Sequence, residues 1–228
     1  MWHPSLAGVK PFQPPVARAT RAIVLICLIV QVLLTLLGTD FANQITLRSG
    51  LIPARLSGVT EISDALPAIL TLLSSLFLHA GWFHLAMNLF FLGFVGRYVE
   101  WIVGPGRFIG LYLAGGIAGG VLQVAAAPES VVPVIGASGA IAAVFAVYAV
   151  VFAQRKAAAR RIFGIAVPAD ILNSLWLAAV WIGLQLMTGL VFNDGASGGI
   201  AIWTHIGGFV AGLLLARPLS RGARIVPL

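Results

Sequence analysis

Residues 134–145 read VIGASGAIAAVF, a run in which Ser138 is the only side chain able to form a strong hydrogen bond. An apolar run of this kind predicts a helix buried in lipid or protein, and the hydroxyl lies at the start of that helix. Gly136 and Gly139 flank the serine and leave room for a close neighbour. The same tetrapeptide, GASG, recurs at residues 195–198, so the chain offers two candidate serines.

The composition around this stretch is that of a membrane protein. Of 228 residues, 60% are hydrophobic and 9% are charged, whereas soluble domains carry about 25% charged residues. The single cysteine, Cys27, excludes an intrachain disulfide and a cysteine metal cluster. We predict an all-α polytopic membrane protein with one membrane domain over residues 22–217, between tails at 1–21 and 218–228.

Six membrane-spanning helices are predicted from the apolar segments. They cover approximately residues 22–38, 67–102, 107–127, 136–153, 170–192 and 200–216. The second segment is too long for one simple span, so its first turns are expected to belong to the preceding loop or to tilt into the headgroups. Six spans place both termini on one side, and 12 of the 14 Lys and Arg residues fall on that side. The positive-inside rule then makes both termini cytoplasmic. The net charge of +7 is therefore a topology signal and not a sign of nucleic-acid binding. This arrangement suits the plasma (inner) membrane of a prokaryote.

Three polar stretches interrupt the apolar segments, and polar groups inside a bilayer are costly and therefore informative. They read HAGWFHLAMNLFF (79–91), GASG (136–139) and WTHIGGFVAG (203–212). Each lies in the outer half of its predicted helix, so the polar side chains are expected at a similar depth. His84 and Asn88 are four residues apart and share a helix face. The sequence therefore predicts one polar site near the outer membrane face.

Serine and histidine at one depth supply a nucleophile and a general base. His205 would take the proton of the Ser138 hydroxyl as its oxygen attacks a carbonyl carbon. The resulting oxyanion needs hydrogen-bond donors. The backbone N–H of Ser138, at a helix N-terminus, and the side chains of His84 and Asn88 are the candidates.

Several glycines accompany these groups. Gly136 and Gly139 would let a substrate backbone approach the serine. Gly208 and Gly212 would let the sixth helix press against the fourth and bring the histidine to the serine. The glycines of LAGGIAGG (113–120) have the spacing of a helix-packing face, so we predict a structural role for them.

Each polar residue also has a structural interpretation when taken alone. Ser138 could cap a helix or serve close packing, and His205 could form an interhelical hydrogen bond. His84 and Asn88 could likewise join helices. His79 and His84 could ligate a metal, but their i, i+5 spacing does not place both on one helix face and no carboxylate is near. No metal or cofactor is predicted.

Two polar residues outside this set are interpreted as structural. Ser197, in the second GASG, precedes His205 by eight residues, or about 12 Å along a helix, which is too far for a hydrogen bond. Its context at residues 193–195 is typical of a turn with a helix cap. Glu100 is expected to cap a helix or to pair with a basic loop residue.

Taken together and in this order, the motifs resemble the rhomboid family of intramembrane serine proteases. The matching motifs are H-x4-H-x3-N at His79, His84 and Asn88, G-x-S-G at Gly136, Ser138 and Gly139, and H-x2-G-x3-G at His205, Gly208 and Gly212. The resemblance covers residues 22–217 in the family's minimal six-helix form. It implies a rhomboid-like helix bundle.

The resemblance also implies roles for these residues. Ser138 would be the nucleophile and His205 the base, in a dyad without an aspartate. His84, Asn88 and the Ser138 amide would form the oxyanion hole, and His79 would support the site from above.

Segments outside these motifs also match the family in part, and two positions depart from its pattern. The fifth helix and the loop 193–202 would act as gate and cap, and residues 39–66 would be the membrane-embedded first loop. Leu70 and Thr71 stand where many members carry a Trp-Arg pair, and Ala142 stands where an aromatic residue often follows the serine. Neither departure removes a reacting group, but both predict modest activity.

The expected function is that of an intramembrane serine endopeptidase that cleaves transmembrane protein substrates within the lipid bilayer, near its outer face. The alternative is a catalytically silent rhomboid-like protein that binds transmembrane clients. The retained serine and histidine favour the protease. A small transporter is disfavoured because the chain has no inverted repeat.

Overall fold

The computed structural model describes residues 16–153, 160–162, 165–167, 172, 176, 179, 183 and 201–221. In chain order its elements are α1 (Arg18–Leu37), α2 (Thr39–Ser49), α3 (Pro53–Leu56), a 3₁₀ turn (Ala68–Leu70), α4 (Thr71–Ser74), a second 3₁₀ turn (Ser75–Phe77), α5 (Trp82–Phe91), a π-helical segment (Leu92–Gly96), α6 (Arg97–Val103), α7 (Pro105–Ala126), α8 (Ser138–Ala153), β1 (Arg160–Ile162), β2 (Ile165–Val167) and α9 (Ile202–Ser220).

Four helices among the described residues are long and apolar enough to cross a membrane. They are α1, the continuous helix Trp82–Val103 (hereafter the second span), α7 and α9. The shorter apolar helix α8 lies at the centre, where residues 140–144 have no exposed surface. The predicted class of helical membrane protein is confirmed. The number of spans and the side of the termini stay predictions, because the fifth predicted helix (170–192) and the second GASG fall outside the described residues apart from four isolated helical positions.

Three predictions of secondary structure were wrong. The helix expected over 67–102 is broken, because Leu78 is extended and Gly81 adopts a φ of +90° before the second span begins at Trp82. The loop expected over 39–66 contains α2 and α3. The strands β1 and β2 pair antiparallel, with Arg160 opposite Val167, where the predicted all-α fold had no strand.

The glycines of α7 bring three helices together, as their spacing predicted. A methyl group at Gly115 would overlap the side chain of Ala143 on α8. One at Gly119 would overlap the carbonyl oxygen of Thr204 on α9. Since lipid offers apolar side chains as good an environment as the protein does, such close backbone approach stabilises the bundle through van der Waals contact. The glycine face of α7 therefore sets the positions of α8 and α9.

Glu100 joins α1 to the second span. Its buried carboxylate accepts hydrogen bonds from the backbone N–H of Ala19 (2.9 Å) and of Thr20 (2.8 Å) and from the Thr20 hydroxyl (2.8 Å). The first N–H groups of a helix lack partners within the helix, so this carboxylate acts as the cap of α1. Gly96 makes room for Thr20, because a Cβ at residue 96 would lie 3.2 Å from the Thr20 side chain. The predicted capping role of Glu100 is confirmed.

Replacing this carboxylate should destabilise the fold. Glu100→Ala leaves three donors without their acceptor, and we expect the free energy of unfolding to fall by about 2–4 kcal/mol, given roughly 1–3 kcal/mol per buried unsatisfied group and partial relaxation. Glu100→Gln keeps one acceptor oxygen and should lose less. Reversible unfolding in detergent micelles measures both. Glu129→Ala, at an exposed loop position, is the control, and equal stability of the two alanine variants would contradict the capping role.

Candidate active site

Backbone hydrogen bonds hold the segment that leads into Ser138. Leu51 and Val134 exchange two N–H to carbonyl bonds of 3.1 and 2.7 Å, and the N–H of Gly136 donates to the carbonyl of Ser75 at 2.9 Å. The helix α8 then begins at Ser138 itself. The serine N–H therefore lies at a helix N-terminus, where it points away from the helix and is available to an external acceptor.

Gly136 meets a conformational and a steric requirement at once. Its φ is +126°, in a region that side chains rarely tolerate. A Cβ at this position would lie 2.8 Å from both Cε1 and Nε2 of His84, and 3.9 Å from Nδ2 of Asn88. The glycine thus lets the segment before α8 lie directly against the His84 ring on the second span.

Ser138 and His205 meet in this structure. The Nε2 atom of His205 lies 2.7 Å from the Ser138 hydroxyl oxygen, and both residues are buried. They come from the first turns of α8 and α9, which start at the same end of the bundle. An imidazole at hydrogen-bond distance from a serine hydroxyl is the arrangement that proton transfer during nucleophilic attack requires.

The approach of the two helices depends on Gly208 and Gly212, as predicted, and on Gly139, which packs against α9 although the sequence predicted that it would leave room for a substrate. A methyl group at Gly208 would overlap the carbonyl oxygen of Gly139, and one at Gly212 would overlap the carbonyl oxygen of Ala143. On the other side, a methyl group at Gly139 would lie 2.6 Å from the Thr204 methyl carbon. These contacts set the separation of α8 and α9 and, with it, the distance between hydroxyl and imidazole.

His84 and Asn88 lie beside Gly136 on the second span. The Nδ1 atom of His84 accepts from the backbone N–H of Ala80 at 3.3 Å. A neutral ring therefore carries its proton on Nε2, on the side of the ring that faces Gly136. Asn88 is buried and donates one amide N–H to the His84 carbonyl at 3.0 Å. Its second N–H is a further donor. The two side chains thus place candidate hydrogen-bond donors against the segment that leads into the Ser138 amide.

His79 lies behind this pair. It is buried, and its ring meets the ring of His84 edge-on, with centroids 5.2 Å apart and an interplanar angle of 71°. It thereby limits the positions that His84 can adopt. Among the residues that the structure describes, no group of three His, Cys, Asp or Glu side chains could hold a metal ion.

Sequence reasoning missed three residues that position the site. Leu51 and Ser75 act through backbone groups, which leave no signature in the side-chain pattern. Thr204 packs its methyl group against Gly139 and carries its carbonyl against Gly119. Its place directly before His205 in a stretch of glycines was the available signal, since a small β-branched residue there suits a close helix contact.

The chain is similar to known proteins of one family. A model of the rhomboid domain family matches residues 67–222. The chain is also similar to rhomboid protease GluP from Bacillus subtilis (strain 168), with 35% identity over 147 residues, 64% of this chain and 26% of that protein. The chain thus spans about a quarter of the length of this relative. All residues of the polar site lie inside the family match.

A methyl group at Gly208 should push α9 away from α8. We expect Gly208→Ala to lower the free energy of unfolding by about 1–3 kcal/mol, the usual cost of overpacking. Gly110→Ala on α7 is the matched control, because a methyl group there meets nothing within 4 Å. Thermal unfolding of the two variants in detergent measures the difference. Equal melting temperatures would contradict a tight α8–α9 contact.

Proposed function

The chain belongs to the rhomboid family, and we propose on that premise that it is an intramembrane serine protease with Ser138 as nucleophile and His205 as general base. The observation that carries the proposal is the 2.7 Å contact between the serine hydroxyl and the imidazole Nε2. The nearby hydrogen-bond donors of His84, Asn88 and the Ser138 amide support it. Gly136 supports it as well, because its positive φ and its lack of a side chain let the segment before Ser138 lie against the His84 ring.

The proposed reaction starts with attack on a peptide carbonyl. The Ser138 oxygen bonds to the carbonyl carbon while its proton moves to Nε2 of His205. The Ser138 amide, His84 Nε2–H and Asn88 Nδ2–H then stabilise the oxyanion. His205 returns the proton to the leaving amine, and a water molecule, deprotonated by the same imidazole, hydrolyses the acyl-enzyme and frees the serine.

The place of the site suggests its substrates. The protein is an integral multi-pass membrane protein, and the site lies in the first turns of three helices, close to one membrane face. Water can reach this depth, which hydrolysis requires. We propose transmembrane proteins as substrates, cleaved near the outer face, with the outer assignment resting on the distribution of Lys and Arg. The bacterial relative supports a prokaryotic inner membrane as the location.

Removing either member of the dyad should abolish proteolysis. We expect Ser138→Ala and His205→Ala each to reduce cleavage of a model transmembrane substrate in proteoliposomes at least about 10³-fold, because the dyad acts as a unit. Ser197→Ala, in the second GASG, is the matched control and should retain full activity.

The outcomes of this experiment separate the two candidate functions. Cleavage that persists in Ser138→Ala would overturn the proposed mechanism. Binding of the substrate by a folded wild-type protein, without any cleavage, would favour the alternative of a silent client-binding protein.

The oxyanion donors should affect turnover more than binding. We expect His84→Ala and Asn88→Ala each to lower kcat by about 10²–10³-fold, the usual cost of one lost donor, with KM little changed. Asn43→Ala, at an exposed position of α2, is the control. Unchanged kcat together with a lowered melting temperature would show that these residues only join helices.

A further inference from the structure

A cavity of about 570 Å³ lies between α1 and the second span, away from the candidate active site. On the α1 side its wall is formed by Val24, Leu25 and Leu28, with Arg21 at one end. On the side of the second span it is bounded by Gly93 and Arg97. The cavity is open to the surroundings of the protein, since Leu25 is 57% exposed. We call it the α1 groove.

The groove exists because of a local feature of the second span. Gly93 lies in the π-helical segment, a rare conformation that often occurs at functional sites. A Cβ at Gly93 would meet nothing within 4 Å, so a larger side chain would fit there without a clash. No neighbouring atom therefore requires a glycine at position 93, and the missing side chain leaves the groove open. Gly96 differs, because a side chain there would crowd Thr20.

The two arginines lie at the same end of the groove on different helices. The bonds from Glu100 to Ala19 and Thr20 place the start of α1 beside the end of the second span, so Arg21 and Arg97 lie near the same membrane face. Both side chains are exposed. One positive charge from each helix therefore borders the polar end of the groove.

No carboxylate of the described residues neutralises these charges. The nearby Glu100 uses its oxygens for three donors of α1. The Arg97 guanidinium lies 4.6 Å from the centre of the Tyr98 ring and donates to the Tyr98 hydroxyl at 2.8 Å, so its partner is a neutral side chain. The groove thus pairs a basic end with an apolar wall that continues along α1 towards the middle of the membrane.

We propose that the α1 groove binds an anionic phospholipid. Its phosphate lies between Arg21 and Arg97, and an acyl chain follows Val24, Leu25 and Leu28. Basic pockets between membrane helices recognise such headgroups, and the apolar wall matches the chain attached to them. A free anion would not use this wall, and a zwitterionic lipid would leave the positive charges uncompensated. Because it touches both helices, the lipid stabilises the contact between α1 and the second span.

Native mass spectrometry of the purified full chain in mixed micelles tests this proposal. With equal amounts of phosphatidylglycerol and phosphatidylcholine, we expect the protein to retain phosphatidylglycerol with a preference of roughly tenfold or more, the size expected for two arginines near a headgroup. The double variant Arg21→Gln/Arg97→Gln should lose this preference. Gly93→Leu fills the groove without changing the charge and should lose it too. The charge-matched control Arg18→Gln/Arg107→Gln, which leaves the lining residues intact, should keep it.

Each other result overturns the proposal. If the Arg18/Arg107 control loses as much preference as the Arg21/Arg97 variant, the preference arises from unspecific surface charge. Full preference in Gly93→Leu would place the lipid elsewhere. Displacement of the lipid by excess inorganic phosphate would identify a site for the anion alone. Lipid retention that arises only after removal of residues 1–15 would make the protein's own N-terminal segment the occupant.

Discussion

The backbone contact between α8 and α9 at Gly139 and Gly208 is the constraint on which the candidate site depends. A hydroxyl and an imidazole on two helices reach 2.7 Å only if the helix axes come unusually close, and side chains at these positions would prevent it. Lipid provides no hydrophobic force to push helices together, so small residues and fitted surfaces must do so. The glycine face of α7 packs against both α8 and α9 and fixes their positions. Packing and proposed chemistry therefore rest on the same residues.

The surroundings of the dyad determine what it can do. Ser138, His205 and Asn88 are all buried, so few water molecules compete for their hydrogen bonds. Fixed donors stabilise developing charge more strongly in such a low-dielectric site than in water. The site must nevertheless admit a water molecule for the second half of the proposed reaction. Ser138 and His205 lie in the first turns of α8 and α9, at one end of the bundle.

The sequence predicted what side chains determine and missed what the backbone determines. The polar residues of three separate stretches were expected at one depth. In the structure Ser138 contacts His205, and His84 and Asn88 lie beside Gly136. The capping role of Glu100 followed from a carboxylate in an apolar helix. The break at residues 78–81, the π-helical segment and the bonds of Leu51 and Ser75 could not be predicted, because tertiary contacts and backbone groups produce them. The lengths of apolar runs alone also could not separate α4 from the second span.

The most direct test of the central claim is to locate the adduct of a fluorophosphonate probe by mass spectrometry of the purified protein. Such a probe reacts only with a serine whose hydroxyl is activated by a neighbouring base. We expect a single adduct on Ser138 in the wild-type protein and none in His205→Ala. An adduct on another serine, or labelling of Ser138 that is as fast without His205, would contradict it.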